Sequence, residues 1–252
     1  MKIFCSILLL ILSINVRAQP WPIDTDRPDQ TESVYIVPKY YLQFETGFVF
    51  QKNNDDSEEF LIPTLLSKYG LSNRVELRLI TSVVRESVEI YSYGKQYQTK
   101  LEQVELGAKI SLWEEKKLIP KTSFIFHFGI PGLASYKTNR ILFNSRLTMQ
   151  HTLSNNISLG YNLGVEFDGI SEHPVFVYTF APGISIGKKW YAYIESFGSF
   201  YNYSEHNLNG GVAYFINNNC KLDCSAGLGV SRYAPEYFIG VGASIRFNTA
   251  KK

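Results

Sequence analysis

The chain has 252 residues, of which 15% are aromatic and 19% charged, with a formal net charge of +2. That near-neutral balance offers no basic field to nucleic acid and no net field to an acidic partner. After residue 18 no run of 18 or more apolar residues occurs, which excludes an α-helical membrane span.

The first element is a leader. Lys2 forms a basic start, Ile3 to Ile14 an apolar stretch, and Val16-Arg17-Ala18 small residues at a cleavage position. Residues 1–18 therefore read as a secretory signal peptide, too short to span a membrane comfortably. Cys5 lies inside the apolar stretch without the flanks of a lipoprotein site. Loss of Lys2 and Arg17 with the leader leaves basic and acidic residues equal, at 23 each.

Residues 19–38 form an N-terminal segment dense in charge, expected to act as a periplasmic plug or clamp. Residues 39–252 then read as twelve antiparallel strands, an all-β chain: 39–51, 60–71, 74–85, 102–113, 118–130, 141–153, 156–169, 174–187, 190–201, 207–217, 220–231 and 236–247. Residues 157–167 show the pattern. Ile157, Leu159, Tyr161, Leu163, Val165 and Phe167 share one face of a strand, and Ser158, Gly160, Asn162, Gly164 and Glu166 share the other. Leu159, Leu163 and Val165 are expected to touch lipid. Strand 60–71 is the least regular, because Ile62 and Leu66 fall on the polar face and Pro63 needs a tolerant position.

Short links (Ser72 to Arg74, Glu114 to Lys117, Ser154 to Asn156, Gly187 to Lys189, Asn217 to Asn219) tend to alternate with longer ones (Lys52 to Glu59, Glu86 to Leu101, Pro131 to Arg140, Asn202 to His206). Outer-membrane barrels show this rhythm, with short periplasmic turns and long extracellular loops. An even strand number puts both termini at the periplasmic end. Mid-strand charges keep to one face, as they must where the other meets lipid, since a charge there costs about 2–4 kcal/mol. A soluble barrel or sandwich would also bury one face, but the leader, the long strands, the link rhythm and the aromatic load favour a transmembrane antiparallel up-and-down β-barrel. On one strand Cys220 and Cys224 would lie about 13 Å apart at roughly 3.3 Å per residue, too far for a disulfide, so both are expected as free thiols.

The segment Asp24-Thr25-Asp26-Arg27-Pro28-Asp29-Gln30-Thr31-Glu32-Ser33, the stretch Tyr69-Gly70-Leu71-Ser72-Asn73-Arg74-Val75-Glu76-Leu77-Arg78, and Asp223-Cys224-Ser225-Ala226-Gly227-Leu228-Gly229 together resemble an outer-membrane barrel family labelled "putative MetA-pathway of phenol degradation". The resemblance covers essentially the whole mature chain. It implies a location in the bacterial outer membrane and a role in the passage of small molecules. The tail from Asn248 to Lys252 departs from it, since such barrels commonly end at the terminal aromatic, here Phe247.

Lumen-lining candidates are Glu45, Lys68, Glu76, Arg78, Glu105, Lys109, Lys121, His127, Arg146, Asn162, Glu166, Asp168, Glu195, Asp223 and Arg246. They could orient a solute or form an internal salt-bridge lattice, since buried charges must be paired. The 24–33 segment is expected to fold into the periplasmic mouth and pair with charges such as Arg78 or Arg246. Tyr40, Phe44, Phe48, Phe50, Tyr161, Phe176, Tyr178, Phe180, Trp190, Tyr214 and Phe247 read as lipid contacts or girdles rather than as an aromatic solute ladder.

An enzyme would need a nucleophile and base in contact. His127 and Ser123 share a face but sit four residues apart, Ser111 or Glu105 would have to come from a neighbouring strand, and His151 faces lipid with no obvious acid. His173 and His206 are placed in loops beside Glu172 and Glu205, where solvated pairs are commoner than metal sites. No cofactor, metal or nucleic-acid partner is read. The expected partners are outer-membrane lipid, a small-molecule solute and, during biogenesis, the assembly machinery. The expected function is a channel or transporter-like barrel for small, hydrophobic or aromatic molecules. The alternatives are a closed structural or adhesion barrel acting through its loops, Glu86 to Leu101 above all, and a lipid-modifying enzyme.

Overall fold

In a computed structural model, residues 22–90, 94–130, 133, 141–169, 171–201 and 203–250 are described. The expected leader at 1–18 lies outside them, as does nearly all of the link from Pro131 to Arg140. Twelve strands follow in chain order: β1 (Tyr41–Lys52), β2 (Glu58–Gly70), β3 (Val75–Ile90), β4 (Gly94–Trp113), β5 (Lys121–Gly129), β6 (Phe143–Thr152), β7 (Ile157–Phe167), β8 (Val175–Ile186), β9 (Trp190–Phe200), β10 (Ser204–Asn217), β11 (Cys220–Gly229) and β12 (Tyr237–Asn248). Each pairs antiparallel with its chain neighbours, and β1 pairs with β12 from Tyr41–Asn248 to Lys52–Tyr237, closing the barrel.

The face that a soluble protein would bury is the exposed one. Leu163, Ile194, Leu106 and Val241 are all more than half exposed on the outside, while inward Glu45, Glu76, Arg78, Glu105 and Lys109 are buried to within 1%. An apolar belt of this extent needs a lipid solvent. Aromatic rims bound it. Toward the extracellular end run Tyr237, Phe50, Phe60 and Tyr97 in successive ring contacts at 6.0, 5.0 and 6.3 Å, and Phe128, Phe143 and Phe167 at 5.0 and 6.3 Å. Toward the end that carries both termini sit Phe44 with Phe247 and Trp190 with Tyr214. Amphipathic rings favour these two depths.

Three sequence expectations are corrected. The link from Glu86 to Leu101 is mostly ladder: Arg85 pairs with Thr99, and pairing continues to Ile90 with Gly94. Polar residues on both faces suggested a loop, yet above the membrane both faces of a hairpin meet water, and alternation is no longer required. Lys100–Glu86 at 2.8 Å ties this hairpin together, and Lys95–Glu58 at 2.6 Å fastens it to β2. Likewise β10 begins at Ser204 and takes in His206, which was expected in a loop. The extracellular link 53–57 is thus as short as the periplasmic turns, and length resides in the strands, up to 20 residues in β4. In β2 the ladders step from Leu61 to Thr64 on both sides, so Ile62 and Pro63 sit in a bulge, where a missing N–H breaks no ladder bond.

Candidate functional site

The N-terminal segment occupies the lumen. Ile23, Val34 and Val37 are buried, and the chain between them folds into a loop closed by the Ser33 N–H donating to Asp26 Oδ1 at 2.8 Å and by a Ser33–Asp24 side-chain hydrogen bond. From this loop, hydrogen bonds reach β1 to β9 and β11. The Asp26 N–H donates to Glu45 Oε2 on β1 at 2.9 Å, and Arg146 on β6 reaches the Gln30 carbonyl at 3.4 Å. The Glu32 N–H donates to Asn162 on β7 at 2.6 Å. The Thr31 hydroxyl donates to Glu195 on β9 at 2.6 Å and lies 2.8 Å from the Thr179 hydroxyl on β8. Ser123 on β5 donates to the Val34 carbonyl at 2.7 Å, and the Val37 N–H donates to Glu76 on β3 at 2.7 Å.

Asp26 is the hub. Its carboxylate accepts from Lys68 Nζ on β2 at 2.8 Å, Arg78 Nη1 on β3 at 3.0 Å and Lys109 Nζ on β4 at 2.9 Å. Burial pushes the Asp26 carboxyl up, but Lys109, Lys68 and Arg78 outweigh it and hold the group well below the usual carboxylate range. Asp29 shows the opposite balance: burial and then the Glu195 carboxylate push it well above that range. Arg78 also pairs with Glu32 at 2.7 Å and Glu76 at 3.2 Å, and donates from Nε to His127 Nε2 at 3.0 Å.

Arg27 lies against the seam where the first and last strands meet. A Cβ on Gly47 would come within 2.2 Å of its guanidinium carbon and one on Gly242 within 2.4 Å of Nε, and these two glycines pair with each other across β1 and β12. Only residues without a side chain admit the planar group so close to the wall. Arg27 pairs there with Asp223 at 3.2 Å, and Lys221 donates to the Arg27 carbonyl at 2.6 Å.

Of the residues expected to line the lumen, Glu45, Lys68, Glu76, Arg78, Glu105, Lys109, His127, Asn162, Glu195, Asp223 and Arg246 are buried on the inner face. Arg146 and Glu166 form a half-buried pair at 2.5 Å, and Lys121 sits at the mouth, paired with Glu114 at 2.5 Å and over the Tyr35 ring. Asp168 is different. It lies past the end of β7, exposed, and accepts from the Ser171 N–H at 2.7 Å. The segment meets Arg78 as expected, and Arg246 donates to the Asn218 carbonyl and Asn219 side chain in the β10–β11 turn. Gln43, Asn144, Thr179, Asn209, Lys221 and Ser244 also face inward. The period-2 phase set by Glu45 and Asp223 identifies Gln43 and Lys221, but uncharged positions carried no other mark.

The histidines find other partners than those considered for catalysis or metal binding. Ser123 and His127 are committed to Val34 and Arg78. His151 does have an acid beside it, Glu115 from the β4–β5 turn at 3.7 Å, and it stacks on Tyr161. His206 lies 3.0 Å from the Tyr178 hydroxyl on the outer face.

Above the segment a polar cavity of about 270 Å³ opens, lined by Glu32 from the loop tip, Ile80, Ile125 and His127, and by Glu105, Asn144, Ser145, Arg146 and Glu166 from the wall. Asn144 donates to both Glu105 oxygens at 3.1 Å. Among the described residues the lumen is therefore filled in its periplasmic half, with a polar cavity above it.

The family described as "Putative MetA-pathway of phenol degradation" matches residues 25–247. Among curated proteins, none matches the chain. Among solved structures, an outer membrane channel from Pseudomonas putida F1 superposes with a TM-score of 0.66 at 10% identity, covering 92% of this chain and 100% of that one. The KdgM porin gives 0.56 at 14% identity over 81% and 99%, and the β domain of the Bordetella autotransporter BrkA gives 0.52 at 11% over 82% and 99%. These likenesses carry the fold. A closed barrel with this fold, an exposed apolar belt and two aromatic rims belongs in the bacterial outer membrane.

Proposed function

This chain belongs to the family described as "Putative MetA-pathway of phenol degradation", and from that premise we propose that it is an outer-membrane channel for small molecules, closed in its periplasmic half by its N-terminal segment. The observation that carries the reading is the division of the lumen. A polar cavity of about 270 Å³ stands over a loop that one carboxylate, Asp26, holds to three wall cations. A solute reaching the cavity meets Glu32 at the loop tip, so entry and the segment's position are mechanically linked. The lining favours a small polar solute. An apolar or aromatic one would have as its inner contacts chiefly the Phe197–Phe238 pair with Tyr191 and Tyr193; most of the aromatic load faces lipid.

A closed structural barrel is the second reading, favoured by the same filling of the periplasmic half. Liposome swelling separates the two. Vesicles with the mature protein should swell in small neutral solutes, and faster with Asp26→Asn. Vesicles silent with both proteins would support the structural barrel and reject the channel.

A further inference from the structure

Among the described residues, charge is divided unequally between the two ends of the barrel wall. Toward the end that carries both termini, Lys39, Arg74, Lys116, Lys117, Lys188 and Lys189 are exposed. Of the acids on the turns there, Glu114 is paired with Lys121, and Glu115 accepts from the Thr152 N–H and faces His151. At the opposite end the exposed acids Asp55, Asp56, Asp168, Glu172, Glu205 and Glu236 outweigh the exposed cations Arg85, Lys95 and Arg232. An excess of one sign at a membrane surface acts on lipid headgroups within about a Debye length, roughly 10 Å.

The positive excess is most sharply placed at the turn between β8 and β9. Gly187 takes the turn at φ 62°, and the Phe215 N–H donates to the Lys189 carbonyl at 2.8 Å, which fixes it against β10. Lys189 Nζ donates to the Tyr214 hydroxyl at 3.3 Å and stands 5.5 Å from the centre of that ring. Tyr214 packs on Trp190 at 4.8 Å, its cross-strand partner, and Ile186 pairs with Trp190 on the other side. Ile184 and Ile194 lie deeper on the outer face, both exposed. The flanking turns, Ser154-Asn155-Asn156 and Asn217-Asn218-Asn219, are uncharged and carry amide donors. Among the described residues, no acid forms an ion pair with Lys188 or Lys189. From the turn toward mid-membrane the wall thus presents two ammonium groups, a layer of rings, then isoleucines. A phospholipid has the same order: a charged headgroup, an interface that amphipathic rings favour, and acyl chains.

We propose that this corner of the outer wall, the β8–β9 turn with Trp190 and Tyr214, binds an anionic phospholipid of the inner leaflet. Its headgroup phosphate sits at Lys188 and Lys189, and its chains run along Ile184, Ile186 and Ile194. Charge complementarity selects the occupant: the two lysines have no protein counter-charge, and a headgroup with net negative charge supplies one where a zwitterionic headgroup does not. Membrane depth favours a lipid over a soluble acidic protein. The turn is too short to carry its lysines far from the bilayer, and Lys189 is held against a ring of the aromatic rim. The acidic opposite end should repel the same lipid, so the charge division also gives the barrel a preferred orientation relative to anionic lipid. The inference concerns the outer wall and stands apart from the channel reading.

The test uses the mature protein with Trp21→Phe and Trp113→Phe, which leaves Trp190 as its tryptophan. The folded barrel, identified by heat-modifiable mobility, is reconstituted in phosphatidylcholine bilayers containing either brominated phosphatidylglycerol or brominated phosphatidylcholine. Quenching of Trp190 by each gives the relative binding constant of the two lipids at this corner. Phosphatidylglycerol is expected to be preferred on the order of fivefold, the contribution of one lysine beside an anionic surface. The preference should fall to about unity in Lys188→Gln/Lys189→Gln, and also without any lysine substitution at about 1 M salt, where the Debye length is roughly 3 Å. A reporter at the opposite rim, Tyr237→Trp combined with Trp190→Phe, should show no preference for phosphatidylglycerol. Equal quenching by the two lipids at Trp190 would overturn the proposal and leave the basic rim to a soluble acidic partner. A preference that survives both the lysine substitutions and high salt, or one equal at both rims, would overturn it as well.

Discussion

Asp26 concentrates the account at the scale of a residue. Breaking a buried ion pair by removing one partner costs about 3–5 kcal/mol, because the remaining charges stay buried. Asp26→Asn keeps the shape and removes the charge that Lys68, Arg78 and Lys109 share, so thermal unfolding in detergent should register a loss of about that size. The pH dependence has a definite sign. The Asp26 carboxyl is held below its ordinary value of about 3.9, so its contribution is fully present above that value and disappears only as pH falls through the lower folded value. The gap between wild type and Asp26→Asn should therefore be flat from pH 5 to 8 and narrow only below about pH 4. Asp29 works the other way. Its raised value means stability is present at acid pH and is lost as pH climbs through the folded value, so Asp29→Asn should stabilise the protein at neutral pH. A neutral or destabilising result in the same melt would remove Asp29–Glu195 repulsion from the account. The density of charge in 24–33 made docking legible in the sequence, and Arg78 was a nameable partner. The convergence of three cations on Asp26 was not, because it depends on the inner phases of β2, β3 and β4 meeting at one height.

At the scale of an element, the strand is the unit that the sequence specifies. Period-2 alternation with charges on one side places Asn162 inward and Leu163 outward, and Leu163 is 58% exposed in mid-strand. Leu163→Arg should cost about 2–4 kcal/mol and reduce the membrane-assembled fraction; full assembly would mean that this face does not meet lipid. The same rule misjudged strand ends. Once β3 and β4 rise past the bilayer, neither face is forced to be apolar, the alternation fades, and residues 86–90 and 94–101 resemble a loop in sequence while pairing as a ladder. His206 was misplaced for the same reason. In β2, Ile62 and Pro63 broke the pattern because the strand itself is bulged there. Asp168 had the inward parity of β7, but the strand ends one residue earlier, and parity carries no meaning past the last pair.

For the whole molecule, closure, strand number and the choice of lipid over water as outer solvent were legible, because they follow from a repeated local pattern. The division of the lumen was not. The segment's path and the seam glycines around Arg27 both arise from contacts between residues far apart in the chain. That division is the central claim: a channel whose periplasmic half is shut by its own N-terminal loop. The most direct measurement is single-channel conductance in planar bilayers of the mature protein against a variant lacking residues 24–33, with heat-modifiable mobility confirming that both barrels are closed. The account predicts a clear rise in unitary conductance on deletion, toward that of an unobstructed lumen. An unchanged conductance in a folded barrel would contradict it.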